Sequence, residues 1–301
     1  MRNPPSKRID TYPMHVRNKH RQGYDFAQLC IANPALKQYL ITNPRGEDTI
    51  DFADRAAIIA LNQALLCCDY GVKFWQLPEP FLCPPVPGRA DYIHALADLL
   101  ADDNQGTPPT GKQVRCLDIG TGANLIYPLI GQAEYGWQFT GSDINPMAVS
   151  VAQTIAKANG LGIKIKQQKD ERAIFRGVIS AKDYYQLTLC NPPFHESEQA
   201  AQAGTARKWR NLGKVPQNAK LNFGGHAPEL WCPGGELAFI KTMIEESQMF
   251  AEQVGWFTSL VSKKDNLAAL KKALQAVKPS DIRVIEMQQG QKVSRFIAWR
   301  F

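Results

Sequence analysis

The spacing of apolar residues divides the chain into two predicted parts. In the first part the periodicity is mostly helical, and the clearest helices are predicted at residues 54–68 and 91–101. Residues 102–111 (DDNQGTPPTG) have the Gly, Pro and polar composition of a linker. We therefore predict an N-terminal, mostly helical extension that occupies residues 26–111 together with this linker.

In the second part, short apolar runs alternate with amphipathic segments. This alternation predicts a doubly wound α/β fold, in which parallel strands carry helices on both faces. The last two strands surround a Gln-Gln-Gly turn, which predicts a hairpin at an antiparallel edge. The predicted strands lie at 114–117, 138–142, 163–167, 185–190, 255–261, 281–286 and 295–300, and the predicted helices at 124–132, 146–159, 236–250 and 266–277. We predict one seven-stranded, Rossmann-like domain over 112–301, with an insertion at 195–232 where no period is sustained.

Composition narrows the class of protein. Apolar residues make up 44% of the 301 residues and charged residues 21%, which excludes disordered, collagen-like and coiled-coil chains. No window approaches the ~18 apolar residues needed to cross a bilayer, and the N-terminus lacks a secretory signal. The seven cysteines form no C-x-x-C motif, and no two histidines lie three or four residues apart. We expect reduced cysteines, no metal site, no membrane association and a cytoplasmic location.

The formal charge of +7 is concentrated in three segments, residues 1–25, 204–222 and 263–278. Clustered cations suit a polyanion, because contacts with phosphates release counterions. Each cluster is equally compatible with a solvated, solubilising face. We predict that residues 1–25 form a basic arm that becomes ordered only in part or on binding.

A glycine loop follows the first predicted strand of the sheet, in the sequence Leu117-Asp118-Ile119-Gly120-Thr121-Gly122. Glycines there allow the backbone to turn sharply and approach a ligand closely. A dinucleotide fingerprint requires a third glycine, and Leu125 stands at that position. An acid at the strand tip suits a cationic ligand, so Asp118 favours S-adenosylmethionine, which carries an ammonium and a sulfonium, over a pyrophosphate.

The second strand of the sheet ends at Asp143. A carboxylate at that tip can accept hydrogen bonds from both ribose hydroxyls of an adenosine, whichever cofactor contains it. The alternative is that Asp143 caps the helix that begins near Pro146.

The tetrapeptide Asn191-Pro192-Pro193-Phe194 follows the fourth strand directly. Consecutive prolines form a stiff turn, which can hold neighbouring groups still. The Asn191 side-chain oxygen and the Pro192 carbonyl are two acceptors for the hydrogens of an exocyclic amine, and Phe194 offers a ring on which a base can stack. Such acceptors localise the amine lone pair toward a sulfonium methyl without a strong general base. The alternative is a structural proline turn.

The order of DIGTG, Asp143 and NPPF resembles the seven-strand S-adenosylmethionine-dependent methyltransferases that modify exocyclic amines. More closely, the chain is similar over nearly its whole length to the RlmF family, bacterial 23S ribosomal RNA adenine-N6 methyltransferases. The human U6 small nuclear RNA adenine-N6 methyltransferase is more distantly similar. The segments that carry the resemblance to the RlmF family are His15-x-Arg17-Asn18 with Asp25-Phe26-Ala27, Val86-Pro87-Gly88-Arg89 with Tyr92-Ile93-His94, Gly122-Ala123-Asn124-Leu125-Ile126-Tyr127-Pro128-Leu129, Asn222-Phe223-Gly224-Gly225, Gly234-Gly235-Glu236-Leu237, and Gly290-Gln291-Lys292 with Arg295-Phe296.

The resemblance implies residue roles that spacing alone does not. Arg89 would reach the carboxylate of the methionine moiety, and Asp170 or Glu171 would touch the adenine of the cofactor. Besides these, the cofactor would be held by Asp118, Gly120, Gly122 and Asp143, and the target adenine in 23S ribosomal RNA (single-stranded, bulged or flipped) by Asn191, Pro192, Pro193 and Phe194. RNA would be contacted by Arg17, Lys19, Arg21, Arg207, Lys208, Arg210 and Lys214.

Two other functions remain open at the level of sequence. One is methylation of a glutamine side-chain amide in a protein, for which an Asn-Pro-Pro-Tyr turn is usual; Phe194 and the basic clusters count against it. The other is a catalytically inactive RNA-binding factor in ribosome assembly.

Overall fold

The structure, a computed structural model, describes residues 14–197, 199–200, 227–289 and 292–301. The N-terminal part is mostly helical, as predicted from sequence. Its helices are α1 (Phe26–Ala32), a 3-10 helix (Pro34–Tyr39), α2 (Arg55–Tyr70) and α3 (Val86–Asp102). A short hairpin of β1 (Leu40–Thr42) and β2 (Asp48–Ile50) lies between them and was not predicted.

Helix α2 has clear local start and stop signals. The Asp54 carboxylate accepts a hydrogen bond from the Ala56 N–H at 2.8 Å, and the helix ends at Gly71, whose φ is +68°. Helix α3 begins five residues earlier than the predicted start at Asp91, because Pro87 lies in its first turn, where a missing N–H has no cost. The prolines at this start mask the helical period in the sequence.

The second part contains the predicted seven-stranded sheet, in the order β5-β4-β3-β6-β7-β9-β8. Its first five strands are parallel, and β9 pairs antiparallel with both β7 and β8. The strands are β3 (Arg115–Ile119), β4 (Gln138–Asp143), β5 (Lys164–Gln167), β6 (Tyr185–Cys190), β7 (Val254–Leu260), β8 (Asp281–Gln289) and β9 (Lys292–Arg300). The closing hairpin is longer than predicted, since Gln288 and Gln289 continue β8 instead of forming a turn.

Among the described residues, the helices that accompany the sheet are α4 (Ile126–Tyr135), α5 (Pro146–Ala158), α6 (Ala227–Leu230), α7 (Gly235–Ser247, continued by a 3-10 turn to Phe250) and α8 (Asn266–Val277). Pro128 does not interrupt α4, because it lies in the first turn, where the helix needs no N–H from it. Within the predicted insertion, the described residues include the single turn α6 and one bridge between His195 and Trp231.

One hydrophobic cluster joins the N-terminal part to the sheet, from Phe26 to Ala298. The predicted linker contributes to this packing, because Trp137 Nε1 donates to the Pro109 carbonyl at 2.8 Å and Trp256 Nε1 donates to Asp103 at 2.9 Å. The N-terminal part is therefore packed onto the sheet and holds fixed positions relative to it.

Residues 14–25 of the predicted arm are ordered without a bound partner, because they lie in turns against α2 and α3. Asn18 and His20 are buried, Asn18 donates to the Pro87 carbonyl at 2.9 Å, and His20 Nε2 lies 2.9 Å from the Tyr70 hydroxyl. This docking leaves no local signal in the sequence, because the partners are 50 to 69 residues away. The polar, basic composition alone therefore favoured an arm. Residues 1–13 lie outside the described residues.

All seven cysteines are free thiols. Across the described ranges, no helix is long and apolar enough to cross a membrane, and no cluster of three or more His, Cys, Asp or Glu side chains could hold a metal ion.

A glycine sets the contact between α4 and the sheet. A Cβ on Gly131 would lie 2.5 Å from Phe139 Cζ and 3.6 Å from Ile93 Cδ1. Helix propensity favours Gly131→Ala by about 1 kcal/mol, but overpacking costs about 1–3 kcal/mol. We expect a net loss of about 1 kcal/mol in the free energy of unfolding, measured by urea denaturation. The control Gly162→Ala has no heavy atom within 4 Å of its new Cβ and should be neutral; equal stability of the two variants would contradict this packing.

Candidate active site

Strand register brings three sequence motifs to one edge of the sheet. Ile119 at the end of β3 pairs with Ser142 in β4 and with Cys190 in β6. The next residue in each chain segment is therefore at the same level, and these residues are Gly120, Asp143 and Asn191. Ligands bind at this edge in open parallel sheets, outside the carboxyl ends of the strands.

A cavity of about 530 Å³ lies at this edge, within the range of small-molecule sites. Its walls come from the ends of all three strands, from the loop after β5, and from the segment that precedes α7. The lining residues that bear on function are Gly120, Gly122, Asp143, Glu171, Asn191, Pro193, Glu229 and Trp231.

The glycine loop approaches this cavity with its backbone. Gly120 and Gly122 have φ values of +69° and +63°, a region that favours glycine. A Cβ on Gly122 would lie 3.2 Å from Asn124 Nδ2 and 3.3 Å from Glu229 Oε1. Trp75 of the N-terminal part donates from Nε1 to the Asn124 carbonyl at 2.8 Å, which fixes the far side of the loop. The loop is a cradle that a larger residue would fill.

Asp118 lies beneath this loop and outside the cavity wall. One of its carboxylate oxygens accepts a hydrogen bond from Thr121 Oγ1 at 2.7 Å, and the other has no partner among the described residues. Burial, reinforced by the charge of Asp143, raises the pKa of Asp118 to about 7, while Thr121 and Arg89 oppose this rise. Asp118 therefore titrates near neutral pH, and a cation bound above it would favour its ionised form.

Asp143 lines the cavity and also closes the glycine loop. Its Oδ2 accepts the Gly122 N–H at 2.9 Å and its Oδ1 accepts the Asn145 N–H at 2.9 Å. Burial raises the pKa of Asp143, although these hydrogen bonds oppose the rise. The cap of α5 is Asn145, which accepts from the Met147 and Ala148 N–H groups, so Asp143 is not the cap. The Ile144 N–H also donates to this carboxylate, which has about four acceptor sites in all, so it keeps acceptor capacity for a ligand hydroxyl.

The proline turn holds Asn191 at the cavity. Asn191 Oδ1 is buried and has no hydrogen-bond partner among the described residues, which is costly unless a ligand supplies a donor. Pro193 lines the cavity, Pro192 is buried, and Phe194 is half-buried outside the cavity wall. The turn is held against the segment before α7: the His195 N–H donates to the Leu230 carbonyl at 3.0 Å, and the Cys232 N–H donates to the His195 carbonyl at 3.1 Å.

Three residues assigned by resemblance differ in their positions. Arg89 lies outside the cavity wall and donates from Nη1 to the Tyr127 hydroxyl at 2.6 Å; its Nε is buried with no partner among the residues described. Glu171 lines the cavity. Asp170 does not line it, because its carboxylate turns back to accept the Arg172 N–H at 3.0 Å.

Two of the three cations predicted to bind RNA in the N-terminal segment, Arg17 and Lys19, have partners within the protein. Arg17 donates to Asp98 at 2.6 Å and to the Tyr135 hydroxyl at 2.9 Å, and Lys19 Nζ lies 2.9 Å from Glu134. Both side chains therefore fasten residues 14–25 to the protein, and their contact with RNA stays a prediction. Arg21 is exposed. Arg207, Lys208, Arg210 and Lys214 lie outside the described residues.

Sequence reasoning missed several residues that shape the site. Trp231 lines the cavity, and its buried Nε1 has no partner among the described residues. Glu229 also lines it and accepts the Leu82 N–H at 2.9 Å. Glu246 accepts the N–H groups of Ile174 and Phe175 at 2.8 and 2.9 Å, which holds the loop after β5. The only local signal was the place of Glu246 on the apolar face of its predicted helix.

Comparison with known proteins identifies relatives along nearly the whole chain. A family model described as RNA methyltransferase matches residues 8–301. A protein from Pseudoalteromonas translucida named ribosomal RNA large subunit methyltransferase F is 58% identical over 288 residues, which cover 96% of this chain and 93% of that protein. A protein of the same name from Klebsiella pneumoniae is 58% identical over 291 residues, covering 96% and 94%.

Solved structures of human METTL16 share the fold. The hMettl16 catalytic domain in complex with MAT2A 3'UTR hairpin 1 has a TM-score of 0.81 and 31% identity, covering 96% of each chain. The N-terminal domain of human METTL16 in complex with SAH has a TM-score of 0.75 and 28% identity, covering 96% of this chain and 98% of that one.

The raised pKa of Asp118 predicts how Asp118→Asn changes stability. The folded state binds this proton more tightly than the unfolded state does, so wild-type stability falls as pH rises from about 4 through 7. The amide does not titrate. We therefore expect the stability of Asp118→Asn relative to wild type to increase by about 2–3 kcal/mol between pH 5 and pH 8, measured by urea unfolding. The exposed Asp170→Asn is the control, and a difference that is constant with pH would contradict the assignment.

Proposed function

This chain belongs to the RNA methyltransferase family and, within it, to the ribosomal RNA large subunit methyltransferase F group, and on that premise we propose that it transfers a methyl group from S-adenosylmethionine to the exocyclic N6 amine of an adenine in 23S ribosomal RNA. The observation that carries the proposal is the buried, unpartnered oxygen of Asn191, a residue that lines the same cavity as Asp143 and the glycine loop. The names of the bacterial relatives support the choice of RNA, and the SAH complex of human METTL16 supports the donor. Since the large-subunit RNA of bacteria is cytoplasmic, we infer the same location for the activity.

The residues at this edge fit such a donor. The cradle at Gly120 and Gly122 admits close backbone contact, and Asp143 keeps acceptor capacity for the ribose hydroxyls. Glu171 lies where the loop after β5 borders the cavity, in the position to contact the adenine. Arg89, whose buried Nε lacks a described partner, is the cation for the methionine carboxylate. When bound, S-adenosylmethionine supplies an electrophilic methyl group on a sulfonium.

The proline turn supplies the chemistry of the acceptor. The amine of adenine is a weak nucleophile because its lone pair is delocalised into the ring. Asn191 Oδ1 and the Pro192 carbonyl each accept one N–H of this amine, which concentrates the lone pair on the nitrogen and aims it into the cavity. The nitrogen carries an extra proton once it is methylated, and this acidic proton passes to water, so Asn191 and Pro192 suffice without a general base.

The target base must leave its helix or lie in a single strand, because the N6 amine is otherwise paired. Phe194 follows the acceptors directly, so its ring is the stacking surface that we assign to the extruded adenine. Stacking on an aromatic ring offsets part of the cost of unstacking the base, at about 1–3 kcal/mol.

Transfer of tritium from labelled S-adenosylmethionine tests the proposal against its alternatives. Label in the N6-methyladenosine of a 23S transcript supports it. Label in protein would indicate a glutamine methyltransferase, and tight RNA binding with no transfer would indicate an inactive assembly factor.

Asn191→Ala removes one acceptor of the amine. We expect the rate of transfer to fall about 100- to 1000-fold, while the affinity for S-adenosylhomocysteine, measured by calorimetry, stays within about twofold. The matched control is Asn104→Ala, an exposed asparagine whose side chain bonds only the Thr107 carbonyl. Loss of cofactor affinity in parallel with activity would refute the role of Asn191.

Asp143→Asn removes charge from the ribose-binding position with little change in volume. We expect the affinity for S-adenosylhomocysteine to fall about 10- to 100-fold, the value of a hydrogen bond to a charged group. RNA affinity should not change. Asp170→Asn makes the same chemical change outside the cavity and should leave cofactor affinity unaltered; a similar loss in both variants would remove the assignment to Asp143.

A further inference from the structure

The segment around helix α8 carries four exposed lysines that the reaction does not use: Lys264, Lys271, Lys272 and Lys278. We refer to them as the lysine face. Lys271 and Lys272 lie within the helix, Lys264 lies in the turn before it, and Lys278 is its C-cap. The side of α8 that packs on the protein is apolar, with Leu270 and Leu274 fully buried. The four cations therefore form one exposed stripe that extends from the turn before α8 to its C-cap.

The lysine face lacks the acidic partners of a solvated helix surface. No Asp or Glu stands three or four residues from Lys264, Lys271 or Lys272. Asp281 lies three residues after Lys278, but it pairs with Arg283 and Arg300. None of the four lysines forms an ion pair with any residue in the described part of the chain. Asp265 is the one acid within residues 263–278, so the stripe is left with uncompensated positive charge.

The stripe begins beside the proline turn. Helix α8 follows β7, which runs parallel to β6 and ends at the same edge of the sheet as Asn191. Lys263, next to the start of the stripe, lies 3.8 Å from the carboxylate of Glu196, two residues after Phe194. From there α8 runs about 18 Å toward the opposite edge. An RNA strand that leaves the cavity past Phe194 would therefore meet this line of exposed lysines.

We propose that the lysine face binds the phosphates of the RNA strand that flanks the target adenine. This inference rests on the proposed function, since it takes the polyanion to be the substrate whose base occupies the cavity. Charge complementarity selects the partner. The apolar side chains at exposed positions of residues 263–278 are the small Ala268 and Ala276, which are poorly suited to insertion into a lipid surface, and the lysines are point charges suited to phosphate. Each phosphate contact releases counterions, so the lysine face contributes affinity that depends on salt.

The triple variant Lys264→Gln/Lys271→Gln/Lys272→Gln tests this surface in the full chain. The probe is a 23S ribosomal RNA transcript, with binding measured over a series of KCl concentrations. Three lost phosphate contacts should make the slope of log K against log salt shallower by about 2, at ~0.7 for each single-strand contact. The KM for RNA should rise, whereas kcat at saturating RNA and the affinity for S-adenosylhomocysteine should not change.

The matched control is Lys112→Gln/Lys157→Gln/Lys164→Gln. These substitutions remove the same charge from exposed lysines in the turn after the linker, in α5 and in the far edge strand β5. The control should keep the wild-type slope. Equal effects of the two triple variants, or a wild-type slope in the lysine-face variant, would overturn the inference.

Three further outcomes separate the sources of failure. Binding to anionic phospholipid vesicles that is lost in the lysine-face variant, with RNA binding intact, would make this a membrane surface and would overturn the proposal. If the wild type methylates RNA normally and the lysine-face variant keeps the wild-type salt slope, the inference about the lysine face is overturned and the proposed function is not. Absence of methylation of any RNA by the wild type would overturn the proposed function.

Discussion

The parallel register of β3 with β4 and β6 is the constraint on which the site depends. Because Ile119 pairs with both Ser142 and Cys190, the three strands end at one level. A slip of one residue in either pairing would turn every side chain of that strand to the other face of the sheet. Buried residues on both faces, such as Cys116 and Leu117, make such a slip unfavourable. The register that fills the core also assembles the cavity.

The glycine loop is then fixed from two directions. Asp143 accepts the Gly122 N–H on the side of the sheet, and Trp75 donates to the Asn124 carbonyl on the side of the N-terminal part. Groups held in this way need little reorganisation when a ligand enters. The N-terminal extension thus helps to hold the loop that we propose as part of the cofactor site. The same loop covers Asp118, next to the position proposed for a cationic ligand, and the pKa of Asp118 is raised by burial and further by the charge of Asp143.

Local signals account for what the sequence could predict. Strand β6 and helix α8 have the predicted bounds, because each is an apolar run that ends before a polar residue, Asn191 and Lys278 respectively. The motifs at the strand tips could be predicted because each directly follows its strand in the sequence. The docking of residues 14–25 could not be predicted, because Asn18 bonds partners about seventy residues away and composition alone favoured an arm. Glu229 reaches the cavity from a segment with no periodicity. Long-range hydrogen bonds leave no local pattern.

A crystal structure of the full chain with S-adenosylhomocysteine tests most directly whether the strand edge is where the methyl donor meets the amine acceptors. The account predicts ribose hydroxyls on Asp143, backbone contacts at Gly120 and Gly122, and the ligand sulfur facing the side of the cavity that Asn191 lines. A ligand bound elsewhere, for example in the polar cavity that Lys19 and Asp69 line, would contradict it.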